Sequence, residues 1–287
     1  MPASVSVPHL SSPLPLLLPV SFRTLLSQHH AGMLHLLHRI NNSGKNFTGD
    51  LSFVNDWKFF MPDPSKHLES LVPSGPYAGT LDAFATGVKL RTRYEHLRTY
   101  ALEQNQTRLW ASGSNRVAET ARYFAAGFYG LDWEDVATLQ VIPETADLGA
   151  DTLTPGDTCR NYYQNVDERG HDYGYRMLED FRSTYLPAVS SRLRAFSPNN
   201  LTFSQAEIYV MQEICCFETI AKGSSPWCDV FTHDEWLAFE YARDLLHYYR
   251  AGPGNRYGPT MGWLLLNATK VLLNQGPEQA GPLFFSL

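Results

Sequence analysis

The architecture this 287-residue chain predicts is an α/β core carrying a mainly helical insertion. Three observations point there. Leu109–Tyr129 reads as a strand, a small-residue turn and a helix. A second strand-like piece, Thr138–Ile142, comes next and is ended by Pro143. Beyond about residue 144 the apolar spacing turns helical, with two capping boxes.

Taken in order, residues 1–30 are expected to form an atypical, disordered leader. Pro13, Pro15 and Pro19 interrupt the apolar stretch Leu14–Val20. There is no basic flank or small-residue cleavage site, so the stretch is a poor signal peptide. Met33, Leu34, Leu36, Leu37 and Ile40 predict a short helix over 31–40. His29, His30, His35 and His38 lie in the same region, but no neighbouring carboxylate or cysteine completes a metal set. Leu51–Trp57 is a short helix or strand that runs to a Pro62-Asp63-Pro64 turn. Gly75-Pro76 opens a helix with Leu81, Phe84, Ala85, Val88 and Leu97 along one side. Arg91, Arg93 and Arg98 lie near its C-terminal end, where the helix dipole favours cations.

In Leu109–Tyr129, Leu109-Trp110-Ala111 is the strand and Ser112–Asn115 breaks it. Val117, Ala121, Phe124, Ala125 and Phe128 then mark one helical face. Ser114 or Asn115 is placed to cap the helix, and Arg116 falls in its first turn. Free amides, the positive dipole end and a guanidinium fork suit a phosphate or carboxylate. Taken alone, an arginine there is more often a solvated surface residue.

A turn-rich segment including Thr154–Asp157 precedes three helices. The first carries Tyr175, Leu178, Phe181, Tyr185, Val189 and Leu193 as a stripe. The second and third open on the capping boxes Ser204/Glu207 and Thr232/Glu235. A fourth helix at about 260–274 is expected to bury Leu264, Leu265, Ala268, Val271 and Leu272. The tail Gly281–Leu287 reads as the start of a buried strand.

Composition narrows the function classes. Hydrophobic residues make up 44% of the chain, enough for a sizeable core. The net charge of −6 argues against a general nucleic-acid or anionic-membrane binder. No apolar run approaches the ~20 residues that span a bilayer. Five N-x-[ST] triplets, at Asn41, Asn46, Asn105, Asn200 and Asn267, favour a secreted glycoprotein. Of the cysteines Cys159, Cys215, Cys216 and Cys228, either Cys215 or Cys216 can pair with Cys228 across a short loop, as suits an oxidising compartment. No Cys/His spacing suggests zinc, and no Rossmann, Walker or G-x-S-x-G motif calls for a cofactor or a serine nucleophile. The dipeptides His171-Asp172 and His233-Asp234 look catalytic, but each opens a helix, where capping and the dipole explain the acid.

Several segments together resemble the fungal histidine acid phosphatases, the family of secreted acid phosphatases and phytases. They are Gly75–Ala83 (GPYAGTLDA) with Arg93, Tyr94 and Leu97, Ala111–Phe128 (ASGSNRVAETARYFAAGF), Pro155–Cys159 (PGDTC), Gly170–Leu178 (GHDYGYRML) and Gln212–Thr219 (QEICCFET). The strongest is Ser224–Tyr249 (SSPWCDVFTHDEWLAFEYARDLLHYY) with Gly252–Asn255 (GPGN). The likeness covers about residues 48–287.

The resemblance implies a phosphoglycerate-mutase-like α/β core, here 31–143 with 255–287, and a smaller helical inserted domain at 144–254. It implies phosphomonoester hydrolysis through a phosphohistidine, acting on phytate or other organic phosphates, with no cofactor or metal. Arg116 matches a phosphate-binding arginine of the family. Cys215 and Cys228 match a family disulfide, while the partner matching Cys159 lies further toward the C-terminus and Cys216 is extra. The family's Arg-His-Gly-x-Arg-x-Pro nucleophile motif has no counterpart: the corresponding region reads Val20–Leu26 (VSFRTLL), and Gln28–Gly32 (QHHAG) does not replace it. Nor does the chain contain the His-Asp pair that follows the strand matched by GPLFFS. The expectation is a family member truncated at both ends and inactive as written. The alternative is a non-catalytic secreted glycoprotein that binds phosphorylated ligands.

Overall fold

The computed structural model describes residues 23–61, 63, 79–104, 107–145, 152–280 and 283–286. The leader 1–22, the Gly75-Pro76 opening, Asn105 and most of the Pro62-Asp63-Pro64 turn lie outside these residues.

Three parallel strands form a sheet in the order β2-β1-β3, with β1 at Thr107–Ser112, β2 at Thr138–Ile142 and β3 at Leu283–Ser286. Leu109 of β1 lies opposite Leu139 on one side and Phe285 on the other. The side chains of β3 are outside the description, so its expected burial is untested. β1 runs into helix α4 (Asn115–Tyr129), which returns the chain to β2. A long helical excursion then separates β2 from β3.

Two more helices, α2 (Thr80–Arg93) and α3 (Glu95–Gln104), lie beside this unit. The sequence predicts them as one helix, but the chain breaks at Tyr94, whose amide bonds to the Leu90 carbonyl. Leu81 and Ala85, expected on the buried side, are exposed, and Gly87 is buried in their place. The reason is the packing of α2 on α4. A Cβ on Gly87 would fall 2.3 Å from the Phe124 carbonyl oxygen, and one on Gly127 would fall 2.1 Å from that of Phe84. The two backbones touch at paired glycines, which rotates α2 away from the face its leucines suggest. At the far end of α4, Arg98 donates to the carbonyls of Phe128 and Tyr129 at 3.0 and 3.1 Å, satisfying acceptors that a helix end leaves open. Leu109, Phe124, Ala125, Phe128, Tyr129 and Trp133 form the small core here.

A larger core belongs to the helices α7 (Tyr173–Arg194), α8 (Gln205–Lys222) and α9 (His233–Arg250). Both capping boxes are formed, Ser204 with Glu207 and Thr232 with Glu235. Helix α1 (Arg23–Asn41) joins this core, burying Met33, Leu36 and Ile40. It begins inside the region expected to be a disordered leader, because Thr24-Leu25-Leu26 continues the helical register backwards. Leu51, Val54, Phe60 and Met61 follow it into the helical core, with 49–55 a 3₁₀ turn. Grouping 31–61 with the sheet therefore differs from the packing found. An apolar period shows which face is buried, not which neighbour buries it.

Buried acids tie the helical core together. Glu207 accepts two bonds from Arg39 Nη1 at 2.6 and 2.5 Å and one from the Ser204 amide at 2.8 Å. Burial alone would raise its carboxyl, but the Ser204 amide and the Arg39 guanidinium outweigh it and hold the group below the usual glutamate value. Glu218 accepts from Ser225 at 2.6 Å, from Lys222 at 2.7 Å and from the Trp57 indole at 3.3 Å. Trp227 lies beneath, edge-on to Phe53 and Trp57. Cys215 and Cys228 are joined, with Cα atoms 5.0 Å apart; Cys159 and Cys216 are free thiols.

Between α9 and β3 runs α10, bounded at Gly258–Ala280 and broken at Gly276, whose φ of 71° suits glycine. Of its predicted buried face, Leu264, Ala268 and Leu272 are half-buried while Leu265 and Val271 are exposed; Trp263, Leu266 and Leu273 are exposed beside them. Among the described residues no helix is long and apolar enough to cross a membrane.

Two predictions follow from this packing. Gly87→Ala or Gly127→Ala forces a methyl group into a backbone carbonyl, and either is expected to cost ~1–3 kcal/mol, read as a lowered melting point and denaturant midpoint. Glu207 has a folded pKa below its unfolded one, so the stability it contributes is present above about pH 4.5 and is lost as pH falls through the folded value. Glu207→Gln should therefore be less stable at neutral pH, and its deficit should shrink on acidification.

Candidate active site

The carboxyl edge of the parallel sheet is where this fold type presents ligands, because helix N-termini converge there. Here that edge is built by the ends of β1 and β2 and the turn Ser112–Ser114. Ser112 is buried, and a Cβ on Gly113 would lie 3.3 Å from the Ile142 carbonyl oxygen. The small residues thus let the turn press against the end of β2.

Ser114 takes the N-cap position of α4 with extended backbone, yet its side chain makes no capping bond. This differs from the cap the sequence predicts. The hydroxyl does not reach back, and the first-turn amides keep no side-chain partner among the described residues. Arg116 sits in that turn, exposed, and its carbonyl accepts from the Thr120 hydroxyl at 2.8 Å. Among the described residues no carboxylate pairs with its guanidinium. An exposed, unneutralised guanidinium beside open amides can accept a small oxyanion at modest cost.

The structure adds two features the sequence did not indicate. An open groove of about 450 Å³ lies between α2 and α4, lined in part by Asp82, Thr86, Thr120 and Phe124. Its walls are chiefly apolar and its one charge is a carboxylate, so it is a poor extension of an anion site. The second is Asp157. Burial and then the nearby Glu144 carboxylate push its carboxyl above the usual aspartate value, partly offset by His171 and Arg250. Glu144 lies two residues beyond the end of β2, and its amide lies 3.4 Å from a Cβ on Gly113. The two acids whose charges act on each other are thirteen residues apart, in a turn-rich segment that shows no periodicity.

The two His-Asp dipeptides are elsewhere. His233 and Asp234 begin α9 inside its capping box. His171 Nδ1 lies 2.9 Å from Asp172, whose amide and carboxylate are bound by the Asn165 side chain at 2.9 and 2.8 Å. The adjoining GHDYGY segment packs on GPGN: Asn255 donates to the carbonyls of Arg169, Gly170 and Tyr249 at 3.2, 3.3 and 2.9 Å. A Cβ on Gly174 would fall 2.3 Å from the Leu246 carbonyl oxygen. These pieces hold helices together. Of the sequon asparagines, Asn41, Asn46, Asn200 and Asn267 are all exposed. Asn46 and Asn200 have positive φ values of 81° and 55°.

Asp157 yields a prediction of opposite sign to Glu207. Its folded pKa is raised, so its contribution is most favourable below its ordinary value of 3.8 and is lost as pH climbs through the folded value. Asp157→Asn should gain in stability relative to the parent chain as pH rises from strong acid to neutrality in parallel melts.

The profile of the histidine phosphatase superfamily, branch 2, matches residues 26–286. A phytase of Candida albicans is 35% identical over 240 residues, covering 82% of this chain and 50% of the relative. An acid phosphatase of Komagataella pastoris is 34% identical, covering 83% and 49%. The constitutive acid phosphatase of Saccharomyces cerevisiae is 31% identical, covering 87% and 52%. The crystal structure of the phytase from D. castellii superposes with a TM-score of 0.78 at 30% identity, over 91% of this chain and 55% of that one. The chain spans about half the length of the curated relatives it matches. With its parallel sheet, its helical excursion and these relatives, the chain belongs to branch 2 of the histidine phosphatase superfamily and has that family's phosphoglycerate-mutase-like fold.

Proposed function

We propose that Arg116 holds the phosphoryl group of an organic phosphate monoester, phytate or a simpler one, in a site of the acid phosphatase and phytase type. The observation that carries this reading is the placement of the ASGSNRV segment. It is a point of family likeness, and it also sits at the carboxyl edge of β1 with Arg116 exposed in the first turn of α4. A guanidinium fork matches two phosphoryl oxygens and stabilises the charge that grows on them during transfer. In the family reaction a neutral imidazole attacks phosphorus, the bond to the alcohol oxygen breaks, and an acid protonates the departing alkoxide.

The 287 residues contain no Arg-His-Gly sequence, so this polypeptide lacks the family's covalent nucleophile. It binds phosphate without turning the ester over. A non-catalytic secreted glycoprotein that binds phosphorylated ligands is the second reading. Secretion is part of the same proposal. It is supported by the exposed sequon asparagines, the Cys215–Cys228 bridge and the resemblance to a family of secreted acid phosphatases and phytases. The overall acidity speaks against nucleic acid or an anionic membrane as a partner.

Titration with orthophosphate, followed by NMR, tests the site. Losing charge-assisted bonds worth ~1.5–3 kcal/mol, Arg116→Ala is expected to bind about 10- to 100-fold more weakly. Unchanged affinity would remove Arg116 from the site. In mild acid p-nitrophenyl phosphate is expected to stay intact; hydrolysis by the parent chain that Arg116→Ala abolishes would overturn the non-catalytic reading.

A further inference from the structure

Helix α10 presents an oddity. Trp263 is 53% exposed in the middle of a described helix, with no aromatic or cationic neighbour recorded against its ring among the described residues. Four residues on, in the same helix, stands Asn267, the acceptor of the Asn267-Ala268-Thr269 sequon, and it too is exposed. Residues at i and i+4 are neighbours on a helix surface, about 5–6 Å apart at Cβ. Helical side chains also lean toward the N-terminus, so the Asn267 amide tilts back over the turn that carries Trp263. No hydrogen bond engages that amide among the described residues, whereas the amides of Asn42, Asn55, Asn165 and Asn255 are all bound.

The other three described sequons lack this arrangement. Asn46 lies in a loop and Asn200 ends the short 3₁₀ turn Pro198–Asn200, both at positive φ, and Asn41, at the end of α1, has Leu37 four residues before it. We propose that Asn267 carries an N-linked glycan whose first sugar packs on the indole face of Trp263. The apolar C–H face of the sugar covers the ring, and its hydroxyls stay in water. The inference rests on the secreted reading above.

The modification balances without a redox partner. The Asn267 amide nitrogen forms a C–N bond to the anomeric carbon of an oligosaccharide carried on a lipid diphosphate. The C–O bond to the diphosphate breaks, the diphosphate leaves with the electron pair, and the amide proton passes to a base of the transferase. The Thr269 hydroxyl completes the acceptor.

The test is expression of the full chain in a yeast, first with its own N-terminus and then with an added signal sequence, followed by glycopeptide mapping. In the first arm, no glycan at any sequon would sink the secreted reading. In the second arm the proposal stands alone. Expected are an occupied Asn267 and, on the native protein, endoglycosidase release there several-fold slower than at Asn46. Trp263→Ala should keep the site occupied and bring its release rate to that of Asn46. An empty Asn267 beside occupied Asn46 and Asn200 overturns the proposal. So does release at Asn267 that is as fast as at Asn46 and unaffected by Trp263→Ala. Occupancy is set during synthesis, so it reads out even if a variant folds poorly.

Discussion

The touching backbones of α2 and α4 at Gly87 and Gly127 are the constraint on which the sheet side of this molecule depends. A glycine inside a helix costs roughly 1 kcal/mol relative to alanine. Here that cost is offset by an approach that no side chain permits. It lets Phe124 and Phe128 reach the core from a helix held close to its neighbour. Because α4 also leaves directly from β1 and is held at its other end by Arg98, three attachments fix its axis. The position of Arg116 follows from that axis rather than from any contact of its own.

The helical core solves a different problem. Helix α8 is buried over much of its length and carries Glu207, Gln212, Glu213 and Glu218 into the interior. A buried carboxylate is costly unless donors replace the water it loses. Glu207 has Arg39 and the Ser204 amide; Glu218 has Lys222, Ser225 and the Trp57 indole. Each set joins α8 to a segment distant in sequence, α1 in one case and the stretch after it in the other. The acids thus specify which segments dock on α8. The Cys215–Cys228 bridge adds a covalent closure at the same place.

Family likeness and chemistry separate clearly in this chain. The SPWCDVFT, GHDYGY and GPGN segments, all points of family likeness, serve packing: a buried indole, a close glycine contact, an asparagine bound to three carbonyls. The ASGSNRV segment, by contrast, reaches the carboxyl edge of the sheet. Much of the likeness is thus carried by residues that pack helices together: only glycine fits against the Leu246 carbonyl.

How far the sequence speaks depends on the range of the interaction concerned. The β2 boundaries, the β1–α4 unit and both capping boxes are legible because they rest on contacts within a few residues, where pattern and capping chemistry act. Arg116 is legible as the first-turn arginine for the same reason. What only the tertiary structure decided involves partners far apart. The sequence makes one helix from Gly75-Pro76 past Leu97, but the chain breaks at Tyr94, and packing on α4 turns Leu81 outward. It gives 31–61 to the sheet, but Arg39, Glu207 and the apolar side chains of α1 carry that stretch into the helical core. It buries one face of α10 of which the described fold half-covers Leu264, Ala268 and Leu272 and leaves Leu265 and Val271 open, and it contains no hint that the Glu144 charge acts on Asp157. Periodicity is a property of one element and burial a property of two, so the chain alone names the apolar faces and the fold chooses which of them are covered.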